Sequence, residues 1–222
     1  MDVFYGLGVR SSQITYNYQN WAGAGCNELN GSGLTVYGHE LVEKMNNVGM
    51  LIDLSHASMG TMADTIAASS APVIISHSCC KALFQHNRNT TDENIRAIAD
   101  KGGLFGVTQM RPFMTQQIDD AVHFYYQHIE HAINVGGIDH VCIGSDRDHR
   151  RLVLSEEYLE ELQREEGENF DRSQWPLYFE ELNGPRRMET IWDGLSGRGM
   201  NARDLEKLFG LNLQRLYREV IG

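Results

Sequence analysis

Histidine and aspartate close three short apolar runs in this chain. Residues 50–56 read Met-Leu-Ile-Asp-Leu-Ser-His, residues 72–77 read Pro-Val-Ile-Ile-Ser-His, and residues 140–146 read His-Val-Cys-Ile-Gly-Ser-Asp. A neutral imidazole binds a divalent metal through a ring nitrogen, and a carboxylate can ligate the metal or move a proton. His56, His77 and Asp146 in equivalent positions therefore point to a hydrolytic metal site. The plainer reading is that each imidazole hydrogen-bonds a nearby loop and Asp146 caps a turn, and spacing alone does not choose between the two. Asp148 competes for any role given to Asp146. Arg88, in His86-Asn87-Arg88-Asn89, follows the second histidine and can fork onto a substrate carboxylate, although surface arginine is the default.

These residues need strands behind them. A β-rich run between helical patterns reads as a strand of a parallel sheet, where function gathers at the carboxyl ends. The spacing predicts a strand over 8–16, a Gly/Asn-rich loop over 17–33, a helix over 37–47 and the strand ending at His56. A helix over 59–68 leads to the strand ending at His77. Thr90-Thr91-Asp92-Glu93 offers a helix start that Gly102-Gly103 stops, before a strand at 104–107. A helix over 119–135 precedes the fifth strand at 141–144, and beyond Asp146 lie a charged stretch at 156–168 and helices near 185–197 and 202–220. Glu165-Glu166 reads as a solvated helix face.

Strand alternating with helix closes either into an open doubly wound sheet or into an eight-stranded barrel. No Gly-x-Gly-x-x-Gly opens a helix, which weakens a dinucleotide-binding reading.

Composition narrows the function further. With 222 residues, 41% of them hydrophobic, the chain is expected to form one soluble domain. A net charge of −11 opposes binding to nucleic acid or an anionic membrane. No apolar stretch reaches the ~18 residues of a membrane span and no leader pattern opens the chain, so a cytoplasmic location is expected as written. Cys26, Cys79, Cys80 and Cys142 form no Cys-x-x-Cys pattern and read as reduced thiols, with Cys79 a remote candidate for a sulfur ligand. His39, His123, His128, His131, His140 and His149 are scattered. His128 and His131 stand at i, i+3 on a helix read as solvated there and are set aside.

The same segments carry a resemblance. Gly33-Leu34-Thr35 with Gly38, Met45-Asn46 to Gly49-Met50, Ile52-Asp53-Leu54-Ser55-His56, Ala71-Pro72-Val73-Ile74-Ile75-Ser76-His77-Ser78, Arg88-Asn89, Gly137-Ile138-Asp139-His140-Val141, Ile143-Gly144-Ser145-Asp146 and Leu211-Asn212-Leu213-Gln214-Arg215-Leu216 follow in order. Together they resemble the membrane (renal) dipeptidase family of zinc peptidases. The separations fit as well: 21 residues from His56 to His77, 11 on to Arg88 and 58 on to Asp146.

The resemblance implies an α/β fold, a (β/α)8 barrel of the TIM type, here a partial barrel of about five strands corresponding to the carboxyl-terminal two thirds. It implies two Zn2+ ions at the barrel mouth and cleavage of dipeptides. By matching, His56 and His77 bind the second zinc, Arg88 grips the substrate's terminal carboxylate, and Asp146 moves a proton from the attacking water to the departing amine.

Two departures follow from the same comparison. The family's oxyanion-steadying histidine is matched here by Tyr16, in Thr15-Tyr16-Asn17, and a phenol donates one neutral hydrogen bond in its place. The family's His-x-Asp pair and bridging glutamate would lie before Val3, which leaves one partial zinc site and implies impaired catalysis. An open strand over 9–16 would form an exposed edge or a dimer contact, so self-association is expected. Two alternatives remain: a non-catalytic remnant that binds a peptide or partner in the same pocket, and another metal-dependent barrel hydrolase acting on amides or phosphoesters.

Overall fold

The computed structural model describes residues 1–147, 151–153, 155–167 and 171–222. Five strands, β1 (Ser11–Gln13), β2 (Leu51–Asp53), β3 (Ile74–Ser78), β4 (Leu104–Thr108) and β5 (Val141–Ser145), form one parallel sheet whose spatial order is its chain order. A doubly wound sheet reverses at a switch point, whereas a barrel adds every strand on the same side. The unbroken order therefore selects the barrel. The five strands form an arc of it, with β1 and β5 at its two edges.

Helices α2 (Val36–Val48), α3 (Met59–Ala68), α4 (Asp92–Asp100) and α5 (Val122–Gly136) join consecutive strands. Their starts are chemically marked: the Thr35, Ser58 and Thr91 side chains accept from the N–H groups of Gly38, Thr61 and Asn94. A short α1 (Asp2–Gly6) precedes β1, and α6 (Glu156–Glu166), α7 (Arg187–Gly197), α8 (Ala202–Glu206) and α9 (Asn212–Val220) follow β5.

The period-two alternation of the strands separates two cores. Ile52, Ile75, Phe105 and Val141 join Val42, Met62, Ile95 and Ile129 of the connecting helices. The adjacent residues Leu51, Ile74, Leu104 and Cys142 form a second cluster with Leu216 of α9. Burying each large aliphatic side chain contributes roughly 1.5–3 kcal/mol, so both faces hold the arc in register. Two residues further along the second face, the layer becomes polar or small: Asp53, Ser76, Gly106 and Gly144. A Cβ at Gly106 or Gly144 would collide with the Ser76 carbonyl, so glycine lets β3, β4 and β5 draw close beneath the site.

Two expectations change. The first strand covers Ser11–Gln13 rather than 8–16, because Gly8 at φ 100° turns the chain and the backbone beyond Ile14 leaves β2 for the following loop. That loop folds back over the sheet through bridges from Gly23 to Leu34 and from Gly25 to Ala57. The helix expected over 202–220 is interrupted by a π turn at Lys207–Leu211, which turns Leu208 into the first core and Leu216 into the second. Among the described residues, no helix is long and apolar enough to cross a membrane.

His128 is a further correction. The amphipathic pattern of α5 placed it in solvent, yet it is 1% exposed, and its Nδ1 accepts the Cys80 N–H at 3.0 Å. The bend after β3 leaves that N–H without a strand partner, and the imidazole supplies one. His131 instead pairs with Asp92 at 2.9 Å, so the two do not act as a ligand pair. Burial, reinforced by His131, lowers the His128 pKa to about 4. A depressed histidine contributes stability above its unfolded pKa of about 6.5 and loses it as pH falls toward 4. The loss amounts to about 3 kcal/mol. His128→Asn keeps an acceptor without the titration, so denaturant unfolding from pH 7 to 4 is expected to weaken the wild type by about that much more than the variant. Parallel curves would exclude the assignment.

Candidate metal centre

The site is built on the carboxyl ends of β2, β3 and β5. His56 lies three residues beyond β2 in the left-handed region, at φ 68°. Its carbonyl accepts the Cys26 N–H at 2.8 Å, so the folded-back loop holds this conformation. His77 stands on β3. The imidazole Nε2 atoms of His56 and His77 face each other at 3.1 Å, with ring centroids 5.2 Å apart and nearly perpendicular. Ser145 and Asp146, at φ 55° and 58°, swing the chain off β5 and bring Asp146 Oδ1 to 3.9 Å from His77 Nε2.

The outer nitrogens are also engaged. His56 Nδ1 lies 2.7 Å from Asn17 Oδ1, and His77 Nδ1 lies 2.6 Å from Ser76 Oγ. The Tyr16 ring stacks on His56 at 4.3 Å and is itself 65% exposed, which leaves it at the mouth.

Arg88 is buried, contrary to the surface default. Its Nη2 donates to the His77 carbonyl at 3.5 Å, its guanidinium stands 5.5 Å from the Phe113 ring, and its buried Nη1 has no hydrogen-bond partner among the described residues. The His86 Nδ1 accepts the Arg88 N–H at 3.1 Å and fixes the turn that carries it. A guanidinium buried with a donor unused is primed for an anion.

The electrostatics favour neutral imidazoles. Burial, then the Arg88 charge, then His77, lowers the His56 pKa to about 3. Burial likewise lowers His77, although Asp146 opposes it. Burial pushes the Asp146 carboxyl upward while His77 and Arg88 pull it down. Neutral imidazole is the metal-binding form.

These residues fit a zinc ion in part. Two nitrogens at the usual zinc distance and a tetrahedral angle lie about 3.3 Å apart, close to the spacing of the two Nε2 atoms. Among the described residues, no third His, Cys, Asp or Glu completes a cluster with them. Cys79 does not serve: it is fully buried, and desolvation raises its thiol pKa well above the ordinary value. Asp148 and His149 lie outside the described residues. A groove of about 710 Å³ beside Arg10, Leu213 and Tyr217 holds none of these groups.

The structure thus brings His56, His77, Asp146, Arg88 and Tyr16 to one mouth. It adds Asn17, Asp53 and Ser76, to which the sequence reading gave no role. Their signal was present, because Asp53 and Ser76 sit inside the same histidine-ending runs.

A family model, Membrane dipeptidase (Peptidase family M19), matches residues 1–161. The chain belongs to this family. Membrane dipeptidases are dipeptidase-type hydrolases, and a metal cofactor goes with the family. A curated relative, dipeptidase verJ of Clonostachys rogersoniana, is 31% identical over 96% of this chain and 48% of its own length. The chain spans 36–58% of the length of the curated relatives it matches. A solved amidohydrolase from Pseudomonas aeruginosa superposes at a TM-score of 0.86 with 34% identity, covering 99% of this chain and 67% of that one. A metallopeptidase from Rhodobacter sphaeroides, solved with a phosphinate mimic of L-Ala-D-Ala, shares the fold at a TM-score of 0.81 and 22% identity, covering 99% and 58%.

Proposed function

We propose that this membrane dipeptidase chain binds zinc through His56 Nε2 and His77 Nε2 and takes dipeptides as substrate. The observation that carries the reading is the pair of facing Nε2 atoms 3.1 Å apart, with the unused Arg88 donor on the same wall. Zinc bound there supplies Lewis acidity, polarising a carbonyl and making water nucleophilic near neutral pH.

The chain's own residues do the rest. Arg88 donates from Nη1 to the terminal carboxylate of a dipeptide and fixes which end enters first. Asp146, its carboxyl pushed up by burial, accepts a proton from the attacking water and returns it to the departing amine. Tyr16 donates its phenolic O–H to the developing oxyanion. The relative solved with a dipeptide mimic supports the substrate class.

Among the described residues the two imidazoles supply half of a tetrahedral shell, and low turnover is expected of a zinc ion held by these two ligands alone. That same shortage favours a second reading, in which the pocket binds peptides without cleaving them. Binding measurements test the pocket under either reading. Calorimetry with zinc present is expected to show a dipeptide bound about 30- to 100-fold more tightly than its carboxyl-terminal amide, a margin that Arg88→Met removes. Equal affinity for acid and amide in the wild type would remove Arg88 from the site. Product release measured in the same samples separates hydrolysis from binding alone.

A further inference from the structure

The hydrogen bonds around the two imidazoles favour one placement of the ring hydrogens. Asp53, 7% exposed at the end of β2, accepts from the Ser55 N–H at 3.0 Å, the Ser55 hydroxyl at 2.8 Å and the Ser76 N–H at 3.0 Å on Oδ1. It accepts from the Ser76 hydroxyl at 2.6 Å on Oδ2. The Ser55 Oγ in turn accepts the His77 N–H at 3.0 Å. A serine hydroxyl carries a single hydrogen. The Ser55 and Ser76 hydroxyls lie 3.0 Å apart and both reach the buried carboxylate, the strongest acceptor nearby; with their hydrogens on Asp53, Ser76 Oγ accepts from His77 Nδ1 at 2.6 Å.

His56 has the same arrangement by another route. Its Nδ1 faces the Asn17 carboxamide oxygen, an acceptor that the Cys26 thiol also approaches at 3.7 Å. His56 Nδ1 therefore carries the hydrogen as well. Both Nε2 atoms are left with lone pairs directed at each other across 3.1 Å. Two neutral acceptors at that separation repel, and a cation between them relieves it.

We infer that Asn17 on His56, and the Asp53–Ser76 relay on His77, are positioning residues that preset both imidazoles in the Nδ1–H tautomer, so that the pair presents two lone pairs to one cation. This deepens the zinc reading above and rests on it for its purpose, but the tautomers themselves are a property of the metal-free chain. A histidine held by a carboxylate through an outer hydrogen bond is a better-oriented and more basic ligand.

The test starts with no variant at all. Histidine-labelled protein, stripped of metal by a chelator and held at pH 8, is measured by long-range proton–nitrogen correlation, which distinguishes the two tautomers. The expected result is protonated Nδ1 and bare Nε2 on both His56 and His77. A protonated Nε2 on either ring would overturn the proposal. Ser76→Ala is then expected to release His77 into a tautomer mixture and to weaken zinc binding about 10- to 100-fold, while Ser76→Thr restores both. An Ala variant with unchanged tautomers and affinity would also overturn it. If the tautomers are as expected and zinc does not bind, the presetting stands and the metal reading fails.

Discussion

Zinc in hundredfold excess over its dissociation constant is expected to raise the melting temperature of the wild-type chain by about 5–10 °C, and His77→Ala to abolish the rise. The size follows from mass action: that excess stabilises the native state by about 2.7 kcal/mol, and each kcal/mol moves Tm by about 2–4 °C in a chain of this length. With one of two facing nitrogens gone, the remaining imidazole is a single donor, and affinity falls by more than about 100-fold. The metal-free variant gives the sharper contrast. Removing one of two mutually repelling lone pairs takes nothing from either core, because His77 belongs to neither cluster. Its metal-free Tm is expected to equal or exceed that of the wild type, as at other sites where function is held at the expense of stability. Differential scanning with and without zinc measures both quantities. An equal zinc-induced rise in the two proteins would exclude His77 as a ligand.

Arg111→Met is expected to cost about 3–5 kcal/mol of folding stability. Arg111 is 2% exposed, and no carboxylate meets it among the described residues. Its Nε donates to the Pro176 carbonyl at 2.7 Å, Nη1 to Thr115 and Gln117 at 3.0 and 3.3 Å, and Nη2 to Gln174 at 2.7 Å. Its own N–H reaches the Leu177 carbonyl at 2.8 Å, and the neighbouring Met110 bridges to Tyr178. One side chain thus ties the segment around Gln174–Tyr178 to the end of β4, and the Arg147 guanidinium lies 4.5 Å from the Tyr178 ring beside Asp146. Methionine fills the stem's volume but leaves four carbonyls short of a donor. Lysine, with a point charge in place of a planar fork, is expected to recover only part of the loss. Urea unfolding measures the difference, and a loss below about 1 kcal/mol would show that water replaces the guanidinium without penalty.

Much of this was legible before any coordinates. The strand-ending residues His56, His77 and Asp146 share one mouth because strands of a parallel sheet point the same way, so position at the end of an apolar run is already position in space. The helix starts at Ser58 and Thr91 follow from local capping chemistry, which a few residues decide among themselves. The burial of His128 and Arg88 was not legible, because a polar side chain enters a core only where a distant backbone group needs it. For His128 that group is the N–H of Cys80, 48 residues away. The 202–220 helix was misjudged for a related reason: an interruption of one turn serves two separate hydrophobic clusters, and periodicity along one axis cannot reveal both.

The amino-acid sequence alone determined which polar groups stand at the strand ends, the alternation of strand and helix that carries them, and the membrane dipeptidase family. Local propensities and short-range patterns suffice for that. The tertiary structure decided the barrel sense of winding, the 3.1 Å approach of the two Nε2 atoms and the assignment of Asp53, Ser76 and Asn17 to their support. Each of these depends on which strand lies beside which and on where single hydrogens go, and both are fixed only when residues far apart in the chain are packed together.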